Sequence, residues 1–328
     1  MKDKALLPAA CRVACCLIVL TLVATNALAQ TYPTKPIRLI VPFPPGGGTD
    51  TVARAISQRL AESLGQQIVI DNRGGASAII GTELGARAAP DGYTLTFTLP
   101  AAVAVNPGLY PRLAYDPLRD FAPVTQLNTI ALLLVANPGV PANSIRELIA
   151  LAKAKPGHVT FASSGNGSAA HLAMELFKLM AGVDMTHIPY KGGGPALTDI
   201  IGGQVQLMSG PMIAALPFVK TGRLKALAVT TDKRIPGLPE VPAIAETVPG
   251  YESSIWHGVL APAGTPRPVI RRLHAEIVKI LGVPEVKERF AREGAEPVGS
   301  TPEQFGAFIK SEMAKYAKLI KAAGIRAE

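Results

Sequence analysis

The sequence predicts an α/β fold divided into two lobes, and three observations carry that expectation. A strand–glycine loop–helix unit appears four times, twice in each half, beginning at Ile37, Val69, Val159 and Met185. In the first half the units run strand, helix, strand, helix, strand, a succession that dictates a parallel sheet with crossover helices. After the second series an apolar strand over 256–261 leads into helices that return to the first half. A chain that crosses between lobes twice, near 125–130 and 253–258, leaves a pair of strands about which the lobes can close.

The first 29 residues read as a cleavable secretory signal peptide. Lys2, Lys4 and Arg12 make a basic start, 13–24 is apolar, and Ala27-Leu28-Ala29 is a small-residue cleavage site. The apolar run falls short of the about 20 residues of a membrane span. All three cysteines (Cys11, Cys15, Cys16) lie in this segment, so the mature chain holds no disulfide, thiolate nucleophile or cysteine-held metal. Its loss leaves 299 of 328 residues, enough for two domains: 30–128 with 255–328 as lobe 1, and 129–254 as lobe 2. The expected location is the bacterial periplasm.

Residues 37–43 form an apolar, β-branched run. Val52, Ala53, Ile56, Leu60 and Leu64 follow at helical spacing, with Gly65 as a stop. Residues 67–71 and 93–98 read as strands on either side of a helix over 77–88. A loop over 106–120 precedes the strand 130–136, which opens the second series. Ser144 caps a helix over 144–155, with Glu147 completing a capping box. Strands are expected at 159–163, 185–189, 205–208 and 224–230, and the proline-rich 236–249 crosses the surface. Thr265-Pro266 starts a helix carrying Val269, Ile270, Leu273, Ile277 and Ile280; 284–293 forms another. Ser300 with Glu303 opens a final helix bearing Phe305, Phe308, Ile309, Tyr316 and Ile320.

The chain has 33 basic and 24 acidic residues. The signal segment contains three and one of these, leaving 30 against 23, a net +7. The excess is spread thinly with no aromatic-interleaved basic patch, which argues against nucleic acid. A diffuse positive field draws small anions.

Each glycine loop sets small hydroxyl or acidic residues where a helix begins, and a helix start presents unpaired N–H groups and the positive dipole end to an anion. In the first loop (Phe43, Pro44, Pro45, Gly46, Gly47, Gly48, Thr49, Asp50) the glycines let a ligand approach the backbone, Thr49 or Asp50 caps the helix, and the prolines stiffen the entry. No Gly-Lys-Ser/Thr follows, so it is not a nucleotide P-loop. The third loop (Ser163, Ser164, Gly165, Asn166, Gly167, Ser168, Ala169, Ala170, His171) contains a dinucleotide-like Gly165-x-Gly167-x-x-Ala170. The acidic residue that should end the next strand is missing, since Asp184 precedes that strand and Pro189-Tyr190 close it. The serine hydroxyls suit a carboxylate better; His171 either packs in the first turn or touches the ligand. The fourth loop offers Tyr190, Gly193 and Gly194 to a pocket, with Lys191 solvated and Pro195 at the first helical position.

Catalysis finds little support. There is no Gly-x-Ser-x-Gly elbow, the five histidines lack zinc spacing, and Ser164 with His171, the best hydrolase pair, sits across a helix start. No catalytic residue, cofactor or metal is expected.

With these segments in hand, the chain resembles the Bug receptor family, the extracytoplasmic solute receptors of the tripartite tricarboxylate transporters. The likeness runs over 32–325 and rests on IRLIVPFPPGGGTD, PDGYTL, FASSGNGSAAHLAMELF, HIPYKGGGPAL, GRLKALAVTTDKR, WHGVLAPAGTP and KLIKAAGI together. It implies a two-domain periplasmic-binding-protein fold of type II, with a small carboxylate held in the interdomain cleft by 43–50 from one lobe and 163–171 with 190–195 from the other. An inner-membrane permease is the implied partner of a monomeric receptor; a sensor presenting its closed form to a signalling partner, and an exported hydrolase, are the alternatives. Two departures from the family pattern, the apolar Leu99-Pro100-Ala101-Ala102-Val103 and Ser209-Gly210-Pro211-Met212, point to a ligand with more apolar body than an amino acid or hydroxyacid.

Overall fold

The computed structural model describes residues 32–326 apart from Gly47 and Glu293, so the expected signal peptide and Gly47 lie outside the described residues. Strand β1 (Ile37–Val41) is an apolar run buried along most of its length, and it pairs in parallel with β2 (Ile68–Asn72) and β3 (Thr94–Thr98). Helix α1 (Gly48–Leu64) buries Val52, Ala53, Ile56 and Leu60 against this sheet, the face its spacing predicts. The next helix, α2 (Ile79–Ala86), starts later than expected. A single 3-10 turn over Ala76–Ala78 precedes it, with Ala76, Ser77 and Ala78 at φ 45°, 51° and 75°, a conformation rare for residues with a Cβ.

After β3, a π-helical turn (Ala101–Val105) and the short α3 (Asn106–Leu109) lead to β4 (Phe121–Ala136). The expected strand at 130 is the second half of this 16-residue one; Pro123, Gln126 and Asn128 hide the first half from a search for apolar runs. Up to Ala131, β4 pairs antiparallel with β9 (Ser254–Pro262), through two bulges. From Leu132 onward it pairs instead with β7 (Leu207–Pro211) and β8 (Lys225–Val229). With β5 (Thr160–Ser163), β6 (Thr186–Pro189) and β10 (Ala295–Pro297), the ten strands form one curled sheet, ordered β2-β1-β3-β9-β4-β7-β5-β6, with β8 and β10 also joined to β4. The fold is two-lobed, with β4 and β9 as the crossover strands.

In the second lobe, β5 pairs in parallel with β6 and β7. Around them lie α4 (Ile145–Ala154), α5 (Ala169–Ala181), α6 (Gly193–Ile201) and α7 (Met212–Lys220). Ser144 caps α4, its hydroxyl accepting from Glu147 N at 3.2 Å. Pro195 is the third residue of α6, not the first as its sequence position predicts, because Gly192 and Gly193 take the entry.

The C-terminal region forms α8 (Arg267–Leu281), α9 (Pro284–Arg292) and α10 (Pro302–Ala323). Two expected caps are displaced. Thr265 donates to Pro262 O rather than capping α8. Thr301 with Gln304 makes the capping box of α10, while Ser300 turns its hydroxyl to Gln126 N on β4. Helix α10 is shared between lobes: Phe305 and Ile309 pack with Trp256 and Phe121, whereas Tyr316, Leu319 and Ile320 enter the cluster of Leu172, Phe177 and Tyr251.

Candidate functional site

A cavity of about 510 Å3 opens where the two glycine-loop systems face each other. One wall comes from the first lobe: Phe43 and Thr49 from the β1–α1 loop, Ser77, and the segment after β3 with Leu99, Val105, Asn106 and Leu109. The other is the β5–α5 loop with Ser164, Asn166, Gly167 and Ser168, and Tyr316 and Arg326 complete the lining. A larger groove of about 610 Å3 runs between 233–237 and 294–297, where none of the glycine loops reaches.

The β5–α5 loop is held by bonds among its own groups. Ser168 is the N-cap of α5, its hydroxyl oxygen accepting from His171 N at 3.3 Å, which leaves the hydroxyl proton for another acceptor. His171 Nδ1 accepts from Gly167 N at 3.0 Å. The His171 ring stacks on His187 at 3.9 Å, and His187 stacks in turn on Phe161. Burial, with Lys178 and the neighbouring imidazole adding to it, pushes His171 down to about 3; burial and Lys178 push His187 down to about 4. Both rings are neutral structural parts. Ser163 Oγ lies 2.6 Å from His187 Nε2 but is fully buried, and it also bonds Gly165 O and Gly165 N. That geometry clamps the loop and gives Ser163 no access to a substrate.

The β1–α1 loop departs from the expected open helix start. Asp50 is buried in the first turn of α1, and Oδ2 accepts from Gly46 N at 2.9 Å and from Arg54 Nε at 2.8 Å. Its other oxygen accepts from Asn72, which also donates to Phe43 O. The Arg54 guanidinium holds the carboxyl well below the usual range, at about 2. The negative charge that this end of α1 attracts is therefore the chain's own.

Of the residues singled out in the sequence, Phe43, Thr49, Ser164, Asn166, Gly167 and Ser168 come together on the cavity. Pro45 and Gly46 are exposed on the loop beside it, and Gly48 opens α1. Asp50, Ser163, Gly165 and His171 lie behind the lining as the bonds that shape it. Tyr190 is turned to Asp199, its hydroxyl donating at 2.7 Å, and Gly193 and Gly194 start α6 away from the cavity. Of the two departures from the family pattern, Leu99, Pro100 and Ala101 line the cavity, whereas Ser209 and Met212 are buried in the second lobe. Sequence reasoning missed Ser77, Asn106 and Arg326. Ser77 was within reach, since it follows Gly74-Gly75 at a helix start, and Asn106 holds its carbonyl at 2.8 Å.

Residues 52–325 match the family described as the tripartite tricarboxylate transporter family receptor, TctC. The chain belongs to that family. This receptor is 42% identical to protein BugT of Bordetella pertussis over 306 residues, 93% of this chain and 94% of that one. It is also similar to two solved structures. R. palustris Rpa4515 with adipate is 40% identical at a TM-score of 0.77, covering 90% of this chain and 99% of the other. The periplasmic binding protein BugD is 36% identical at a TM-score of 0.73, covering 90% and 100%. Receptors of this family bind solutes and are not enzymes. Among the described residues, no helix of the receptor is long and apolar enough to cross a membrane.

Proposed function

We propose that this receptor works in the periplasm, after loss of the segment 1–29, and captures a small carboxylate in the cleft between its lobes. The lobes are 30–128 with 255–328, and 129–254, α10 strapping one to the other. The carrying observation is the cleft itself: a wall of Ser164, Asn166 and Ser168 at the start of α5 facing an apolar wall of Leu99, Val105 and Leu109. The hydroxyl and amide groups accommodate a carboxylate, and the helix dipole behind them favours its charge. The apolar wall accommodates a hydrocarbon body, in keeping with the adipate bound by the R. palustris relative.

The bound form closes about β4 and β9 and is delivered, by a monomer, to an inner-membrane permease of the tripartite tricarboxylate type. Micromolar capture needs about 8 kcal/mol, which several charge-assisted hydrogen bonds in a shielded cleft supply. A thermal-shift screen tests the reading with straight-chain mono- and dicarboxylates, amino acids, sugars and cations. A concentration-dependent rise in melting temperature is expected for carboxylates with an apolar body. A rise with sugars or cations and with no carboxylate overturns it.

A further inference from the structure

Arg326 is the only charged side chain among the described residues that line the cleft. It is exposed, and no acidic group among the described residues pairs with it. Its position is built by the fold. Gly324 ends α10 in the left-handed conformation at φ 62°, the Ile325 N–H bonds Ile320 O at 3.1 Å, and the Ile325 side chain packs against the second lobe's core. That turn places the next residue, Arg326, at the cleft.

Resting on the carboxylate reading above, we propose that Arg326 determines specificity by binding the second carboxylate of a two-ended acid. One carboxylate meets the hydroxyl and amide groups of Ser164, Asn166 and Ser168, and the other meets the Arg326 guanidinium. The planar guanidinium presents two parallel N–H groups to a carboxylate, and no acid among the described residues has to be displaced first. The apolar side chains of Leu99, Val105 and Leu172 then accept the methylene chain. A one-ended acid of the same length forgoes the Arg326 bond.

Calorimetry on the mature chain tests this, with succinate, adipate and suberate and, as their one-ended counterparts, butyrate, hexanoate and octanoate. Arg326→Ala is expected to weaken the best dicarboxylate at least tenfold and its counterpart less than twofold. Arg326→Lys should fall between. An unchanged melting temperature without ligand shows that the variant is folded, as expected for an exposed residue. If wild type binds a dicarboxylate and Arg326→Ala binds it equally well, or loses both acids equally, the role of Arg326 is overturned while the carboxylate reading stands. If wild type binds none of the six acids, the carboxylate reading itself fails and takes this inference with it.

Discussion

The indole N–H of Trp256 donates to Oε2 of Glu312 at 2.9 Å, with both side chains buried. Trp256 lies on β9, one of the two crossover strands, and Glu312 lies midway along α10, where the helix passes from the packing of one lobe to that of the other. Lys315, one turn on, completes the ion pair with Glu312. This polar link in a largely apolar joint fixes the helix against the strand.

Glu312→Leu removes the acceptor, leaves a buried indole N–H without a partner and leaves the half-buried Lys315 ammonium only its bond to Glu252 O. A loss of about 3 kcal/mol is expected. Glu312→Gln keeps an acceptor and should lose less. Because Trp256 is the sole tryptophan, urea unfolding followed by its fluorescence reads the joint directly. Equal stability of wild type and Glu312→Leu would show that the link contributes nothing.

Ser164 and Ser168 both line the cleft, yet they predict opposite patterns. Ser168 caps α5, so Ser168→Ala should lower stability by about 1 kcal/mol as well as weaken ligand binding. Ser164 is exposed with no such duty. Ser164→Ala should leave the melting temperature in place and weaken a bound carboxylate by about 1 kcal/mol, roughly fivefold in Kd. Thermal melts and calorimetry on the two variants separate the roles, and a binding loss confined to Ser168→Ala would remove Ser164 from the site.

Asp50 looked like a ligand residue in sequence and is a loop clamp in structure. Asp50→Asn keeps the shape but gives up the charge that Arg54 and the Gly46 N–H share, so a loss of about 2 kcal/mol at pH 7 is expected. Any change in ligand affinity should follow the loosening of the loop. Unchanged unfolding with a large affinity loss would place Asp50 on the ligand instead.

These cases show what the sequence could and could not disclose. The periodicity of α1, which buries one regular face, and the short apolar runs of β1 and β5, each followed by a glycine loop and a helix, located the loops that meet at the cleft. Periodicity says nothing about where a short polar side chain turns. Asp50, Ser163 and Tyr190 found partners inside the protein, on Arg54, His187 and Asp199, that lie 4, 24 and 9 residues away. The first half of β4 was illegible because its two bulges break the alternation, and it is held by pairing with β9, over a hundred residues later. Arg326 was illegible for a similar reason: only the tertiary course of α10 brings the end of the chain to the cleft.

The stacked imidazoles of His171 and His187 make the cleft wall sensitive to acid. His171 Nδ1 can accept from Gly167 N only while it carries no proton, and two imidazolium rings 3.9 Å apart repel. Lys178 adds repulsion, while Glu175, 3.7 Å from His171 Nε2, opposes it; burial prevails and lowers both values. In the unfolded chain both histidines titrate near 6.5, so between there and about 4 the unfolded state holds more protons than the folded one. Stability therefore falls as pH falls through this window. His257, buried and lowered to about 4, contributes in the same sense. His187→Phe keeps a ring in the stack and removes one titration. Its melting temperature should start lower, for want of the Ser163 bond, but decline less steeply than wild type between pH 7 and 4.5. Parallel declines would show that the pair does not set the acid response.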